Sequence, residues 1–364
     1  MQRVVREFAE AEIKPIASDL DRNPRFPWKT LRKMGELGLM GMTTPEAYGG
    51  SGLDTLSYVV LLEEISAADA SHGTIMSVTN GLPQHMLLTY GTEEQKQKYL
   101  PKLATGEWIG SFCLSEPHCG SDAVAMKTKA EKVEGGYKLN GTKAWVTSGS
   151  EAQVYLVMAK TDSNAGARGV SCFILEKGTK GMHFGKPEEK LGQHAATTTS
   201  IMFDDCFIPD SSRLGSEGQG FVYAMSSLDG GRIGIAAQAV GIARAAFEAA
   251  MDYAAERHAF GQAIREFQGV SFKLADMSVN LEAARLLTYK SAWLKDRGYR
   301  VTQEASTAKL FASEAANKIF GGYGYSKDYP VERYFRDARV TEIYEGSSEI
   351  QRVVISRQIY RDRK

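Results

Sequence analysis

Very little in this sequence can hold a fold together covalently. Its 364 residues include four cysteines, Cys113, Cys119, Cys172 and Cys206, and no C-x-x-C pair. That speaks against a disulfide scaffold and against a zinc ribbon, and fits reduced thiols in a cytosol-like compartment. An excess charge of either sign is missing too. Lys plus Arg total 44 and Asp plus Glu total 44, so no global field draws the chain to nucleic acid or to an anionic membrane. Long apolar runs are absent. The best stretch, Ile233 to Ala255, is broken by Arg244, Glu248 and Asp252 and reads as a buried, alanine-rich helix. The start shows neither a secretory h-region nor a transit-peptide composition. A bacterial cytoplasm, or a mitochondrial matrix with the leader absent, is the expected setting.

Several catalytic signatures are missing as well. There is no H-E-x-x-H or Glu-x-x-His, no G-x-S-x-G elbow and no G-x-x-x-x-G-K-[ST] loop. The Gly215–Gly220 run GSEGQG has the wrong spacing for a dinucleotide fingerprint. Six scattered histidines form no ligand set, so no metal is expected.

What is present has the composition of a globular protein of two or three domains: 43% hydrophobic and 24% charged residues. Three textures follow one another. A helical block occupies 1–107, where Val4, Val5, Phe8 and Ile13 mark an amphipathic helix that Pro15 perturbs. Thr92 and Gln95 have the form of a capping box. A strand-rich block, 108–217, carries short β-branched and aromatic runs and is expected to be a small antiparallel β-barrel or sandwich. Asn140-Gly141 marks a hairpin turn there. A second helical block, 218–364, is expected to be a four-helix bundle. Ile235, Ala239, Ile242 and Ala246 line one helix face. Ala305, Ala308, Ala312, Ala315 and Ile319 line another, which Gly321-Gly322 can close.

Five constellations stand out. In LSEPHCGSD (114–122), Ser115, Ser121 and the N–H groups near Gly120 could wrap a ring edge or a phosphate, or form a domain-boundary loop. In KAWVTSGS (143–150), alternation puts Trp145 and Thr147 on one face, suited to a flat heteroaromatic ring or to a barrel core. In LDGGRIG (228–234), the glycines permit close approach. Arg232 on an apolar helix face needs a partner, either Asp229 or a ligand. In ERHAFGQAIREFQ (256–268), Arg257 and Gln268 could reach a phosphate or adenosine, or belong to a solvated turn. In RDARVTEIYEGSSEIQR (336–352), Ser-Ser can cap a helix. Glu345 is a candidate general base if apolar neighbours raise its pKa, or a plain loop carboxylate.

Together and in this order, these motifs resemble the acyl-CoA dehydrogenases, a flavoprotein family. The resemblance rests on LSEPHCGSD, NGTKAWVTSG, LDGGRIGIAAQAVGIA, ERHAFGQAIREFQ, IFGGYGYSKDYPVERYFRDAR and IYEGSSEIQR, and it spans nearly the whole chain. It implies FAD held between the middle and C-terminal domains, with a second subunit completing the site in a homotetramer. Phe112, Leu114, Ser115, Gly120 and Ser121 then match the flavin loop, and Trp145 and Thr147 flank the ring. Arg257, Phe260, Gln268, Lys318, Gly321 and Gly322 match groups reaching the neighbouring subunit's FAD, and Ser347 and Glu349 lie beside the catalytic loop. Ser121, Asp229, Arg232, Tyr344 and Gly346 match the acyl-CoA pocket.

The resemblance makes Glu345 the base that takes the α-proton while a β-hydride goes to flavin. The product is a trans-2-enoyl-CoA, and electrons pass to an electron-transfer flavoprotein. Some relatives carry the base one residue before the helix arginine; here that position is Gly231. This points to the short-chain, butyryl-type branch and a short- to medium-chain straight acyl group. No Arg occurs in 75–82 to meet a glutaryl carboxylate. Other readings are a dehydrogenase of a branched or unusual acyl-CoA, an acyl-CoA oxidase, or a non-catalytic binding member. The chain departs from the family pattern at Lys318, often Gln; at His118-Cys119, usually smaller; at His194, often Arg; and at Ala259, often a hydroxyl residue.

Overall fold

The computed structural model describes residues 1–318 and 329–361. Its first part is helical: α1 (Gln2–Phe8), α2 (Lys14–Arg22), α3 (Trp28–Glu36), α4 (Thr55–Ala68), α5 (Ala70–Thr79), α6 (His85–Tyr90) and α7 (Glu93–Ala104). The perturbation at Pro15 is a single π turn, Ala9–Ile13, joining α1 to α2 without a break. A proline cannot donate into the i−4 ladder, and a wider turn just before it absorbs the defect. Asp54 and Asp69 cap α4 and α5. Thr92 and Gln95 form the reciprocal box on α7.

The middle part is one sheet built from β1 (Gly110–Cys113), β2 (Lys129–Val133), β3 (Gly136–Thr147), β4 (Val154–Lys160), β5 (Val170–Glu176), β6 (Met182–Phe184), β7 (Thr198–Pro209) and β8 (Arg213–Leu214). Two expectations are corrected here. The sheet is mixed, because β1 and β2 both run parallel to β4. Among the described residues its pairings follow an open path, β6-β7-β3-β2-β4-β5-β8, so no barrel closes. The β2–β3 hairpin folds back on itself before β4 begins, which leaves β4 to run alongside β1 in the same direction.

The second correction concerns Asn140-Gly141. The hairpin turn is Glu134-Gly135, with Val133 opposite Gly136, and Gly135 has φ +74°. Asn140-Gly141 lies inside β3 at a register shift against β7. There the Asn140 side chain pairs with Asp205, accepting from its N–H at 2.8 Å. A Cβ on Gly141 would stand 2.6 Å from Thr128 Cα. This glycine serves close approach of backbones, not a turn.

The last part holds α8 (Gly220–Glu256), the short β9–β10 hairpin (His258–Ala259 and Gln262–Ala263), α9 (Gln268–Asp296), α10 (Thr302–Asn317), α11 (Val331–Arg339) and α12 (Ser348–Arg361). Helix α8 is the centre. It packs on α9, α10 and α11, and on α4 and α5 of the first part. Its length and composition would suffice to cross a membrane, yet 78% of its most apolar window is buried in protein, so it is a core helix. Ala305, Ala308, Ala312 and Ala315 are buried on α10, as their spacing implies; Ile319, Gly321 and Gly322 lie outside the described residues. Two buried carboxylates, Glu63 and Glu64, stitch the helices together. Arg244 donates to Glu64 at 2.7 Å, Arg6 to the same carboxylate, and Arg285 to Glu63 at 2.9 Å.

Candidate active site

Glu345 sits in the short link between α11 and α12, and its backbone is left-handed, with φ +51° followed by +98° at Gly346. A non-glycine residue adopts this conformation at a cost of about 1–3 kcal/mol, so its surroundings must impose it. They do so through carbonyls. Gln351 Nε2 donates to the carbonyls of Glu345 at 3.2 Å and Gly346 at 2.8 Å, and Lys309 Nζ donates to Gly346 O at 2.7 Å. Ser347 caps α12 by accepting from Ile350 N.

The Glu345 carboxylate is turned into the protein against α8. A Cβ on Gly231 would lie 2.1 Å from Oε2 and 3.2 Å from Leu82. Oε2 is buried and has no hydrogen-bond partner. Burial pushes the Glu345 carboxyl up to about 7, with the charges of Lys309 and Arg232 opposing the rise. Lys309, itself fully buried, is brought down to about 8 by burial, against the pull of Glu345. Arg232 is 6% exposed and bonds Asp229 at 2.7 Å, while Asp229 accepts from Thr302 at 2.6 Å. Asp229, one of the two partners open to Arg232, is therefore bonded to it, and the guanidinium Nε has no hydrogen-bond partner. Next to this pocket, the hydroxyls of Ser77 and Tyr58 approach Gly234, 2.6 and 2.9 Å from where its Cβ would be.

A second group assembles at the edge of the sheet. Phe112 is on β1, which Ser111 Oγ ties to Thr147 O at 2.7 Å, and the loop after it is tied to β3 by Ala144 N to Ser115 O at 2.9 Å and by Lys143 Nζ to Leu114 O at 3.0 Å. Lys143 is fully buried and ion-paired with Glu116 at 2.8 Å. Trp145 has φ +58° and is 64% exposed. Trp145 falls at the register shift between Lys143 and Val146; Val146 and Ser148 are buried while Thr147 is half-buried. Gly120 and Ser121 are exposed, with open space beside Gly120. Glu116, His118 and Cys119 put three donor atoms within 4.8 Å of one another. Glu116, however, is committed to Lys143 and to the N–H groups of Lys127 and Thr128.

Arg257, Phe260 and Gln268 form a third, exposed group where α8 passes to α9. Phe260 stands on the hairpin tip with φ +50° and 96% exposure. Lys318, at the end of α10, and Glu349 are exposed. Tyr344 lies in the α11–α12 link, next to Glu345. Its hydroxyl donates to Gln238, behind the loop.

Sequence reading missed Lys309, Gln238 and Gln351. The signal was there for two of them. Lys309 interrupts an alanine-lined face next to Ala308, and Gln238 lies between Ile235 and Ile242 in an otherwise apolar run. A polar residue on a buried face needs a partner, and here each has one.

Three family models together cover the chain: acyl-CoA dehydrogenase, N-terminal domain over residues 1–107, middle domain over 111–206 and C-terminal domain over 218–360. An acyl-CoA dehydrogenase of Bacillus subtilis is 50% identical over 366 residues, covering 99% of this chain and 97% of the relative. A short-chain specific acyl-CoA dehydrogenase of Clostridium acetobutylicum is 48% identical over 368 residues, covering 99% and 97%. The structure of butyryl-CoA dehydrogenase from Megasphaera elsdenii matches with a TM-score of 0.96 and 42% identity, covering 99% of this chain and 97% of that one. The chain belongs to the acyl-CoA dehydrogenase family of FAD-carrying oxidoreductases.

Proposed function

We propose that this protein oxidises short- to medium-chain straight acyl-CoA thioesters across Cα–Cβ to trans-2-enoyl-CoA, with Glu345 as the base. One observation carries the reading. The Glu345 carboxylate is buried, has an unpaired oxygen and is raised to about 7, the range a base needs near neutral pH. The substrate class is supported by the short-chain and butyryl-type names of the similar proteins. It is also supported by glycine at 231, which leaves room for a base supplied from the α11–α12 link and none on α8.

The residues at the sheet edge fit FAD. The exposed Trp145 indole, held out by a strained backbone beside Thr147, offers a flat face. The Leu114–Ser121 loop offers the Ser115 and Ser121 hydroxyls beside an exposed Gly120. Phe112, Ser115, Ser121, Trp145 and Thr147 would hold the ring, and Arg257, Phe260, Gln268 and Lys318 would reach the cofactor of a neighbouring subunit. FAD, when bound, supplies the acceptor for the β-hydride. Glu345 would hold the α-proton on its carboxylate. The apolar wall of Leu82 and the close approach of Gly231 would keep water from the acid. Arg232 and Asp229 would orient the thioester end.

The electrons would leave to an electron-transfer flavoprotein. A homo-oligomer, a tetramer by the resemblance, is supported by Phe272, Val279, Leu286 and Trp293. These four are exposed apolar residues at seven-residue spacing along α9, and a stripe of that kind marks an interface. The test is anaerobic titration with butyryl-, octanoyl- and isovaleryl-CoA while following flavin absorbance. Bleaching by butyryl- or octanoyl-CoA that is lost in Glu345→Gln is the expected result. Flavin left unbleached by all three overturns the assignment.

A further inference from the structure

A buried chain of hydrogen bonds leaves the loop behind Glu345 and crosses the molecule. Tyr344 donates its hydroxyl to Gln238 Oε1. Gln238 Nε2 donates to Thr74 Oγ1 at 2.6 Å and to Ala70 O at 2.9 Å. Thr74 Oγ1 donates to Gln193 Oε1 at 2.5 Å. Gln193 then gives its backbone N–H to Asp337 Oδ1 at 2.5 Å and its Nε2 to Asp337 O at 3.0 Å. The donors point one way from Tyr344 to Asp337. Thr74 has a single proton and spends it on Gln193, so it must accept from Gln238. That fixes the Gln238 amide with its oxygen toward Tyr344.

The members come from distant places: Thr74 from α5, Gln193 from the loop between β6 and β7, Gln238 from α8, and Asp337 from α11. Thr74, Gln193, Gln238 and Asp337 are all buried. An apolar junction would join the three parts of the molecule with no orphaned polar atom at stake, whereas each bond lost here leaves one, at a cost of about 1–3 kcal/mol. The chain ends on the residue next to Glu345, which is itself held in a costly left-handed conformation.

We propose that Gln238, Thr74 and Gln193 are positioning residues for Glu345, acting through the Tyr344 hydroxyl with Asp337 as the fixed acceptor at the far end. The inference rests on Glu345 being the base. It ties the sheet that carries the proposed flavin face to the loop that carries the carboxylate, so that the two keep one spacing. Such a relay acts on the reaction step more than on binding, because a displaced base costs rate steeply.

The test uses the full-length, FAD-loaded protein and whichever of butyryl- and octanoyl-CoA reduces the wild type faster. Thr74→Val removes the central hydroxyl at nearly constant volume, Thr74→Ser restores it, and Tyr344→Phe removes the loop end. Flavin reduction at saturating substrate, crotonyl-CoA binding and Tm are measured together. The reduction rate constant should fall at least tenfold in Thr74→Val and in Tyr344→Phe, with the Kd for crotonyl-CoA within threefold of wild type. Thr74→Ser should recover to within threefold. The double variant should be no slower than the slower single, because both changes break one chain. Losses that multiply in the double variant, a Thr74→Ser as slow as Thr74→Val, or a wild-type rate in either single overturn the relay. If Thr74→Val does not fold, Tyr344→Phe decides alone by its rate against its Kd. Glu345→Gln separates the two ideas. Rapid reduction in that variant sinks the base assignment, whereas a dead Glu345→Gln beside a normal Tyr344→Phe sinks only the relay.

Discussion

Glu345 Oε2 occupies the space that a side chain at Gly231 would need: a Cβ built there lies 2.1 Å from this oxygen and 3.0 Å from Cδ. Carbon and oxygen cannot approach so closely, so the base position on the loop and glycine on the helix are two halves of one arrangement. Gly231→Ala should displace the carboxylate by about an ångström and slow flavin reduction roughly 100-fold, while flavin content stays near wild type. Stopped-flow reduction beside absorbance at the flavin band checks both.

Activity should follow the ionisation of Glu345. The base must be unprotonated, so kcat/KM should rise with pH and level off above about 7. Removing Lys309, whose charge opposes that rise, should move the midpoint upward. A pH profile of Lys309→Met with an unshifted midpoint would contradict the electrostatic reading.

The same ionisation costs stability. The folded value of about 7 lies above the ordinary 4.5. Below pH 4.5 both folded and unfolded states hold the proton and nothing is lost. Between there and pH 7 only the folded state holds it, so stability falls as pH rises, by at most about 3 kcal/mol. Glu345→Gln should therefore raise Tm at pH 8 and leave it nearly unchanged at pH 4.5, as thermal melts at the two values would show.

Lys143 and Glu116 form a fully buried pair under the proposed flavin loop. Lys143→Met leaves the carboxylate without its counter-charge and should destabilise the fold by about 3–5 kcal/mol. It also frees Leu114 O, so flavin should be released more easily. Tm and flavin retention on gel filtration measure the two effects.

The apolar stripe on α9 predicts its own result. Val279→Glu with Leu286→Glu should shift the protein to a smaller species in light scattering, with helical content retained. An unchanged mass would exclude this face as an interface.

Much of this was legible in the sequence. Period and texture gave the order of helical, strand-rich and helical parts, and local chemistry gave the Thr92 capping box and the Ser347 cap. Arg232 on an apolar face announced a need that Asp229 meets three residues away. Such features act within one turn or one strand, where spacing along the chain equals spacing in the fold. The sequence was misleading where a local signal competes with a distant contact. Asn140-Gly141 has the chemistry of a turn, yet Thr128, just before β2, and Asp205 on β7 press on it and make it a bulge in β3.

The motifs, through the family they resemble, singled out Glu345 and its candidate shell. Only the tertiary structure decided that its carboxylate points at Gly231, that Lys309 and Arg232 face it, and that the Tyr344 hydroxyl joins Gln238. These relations link residues dozens of positions apart or more. Burial, which raises the Glu345 pKa and makes each unpaired polar atom costly, arises only when α5, α8, α10 and the β6–β7 loop close around one another.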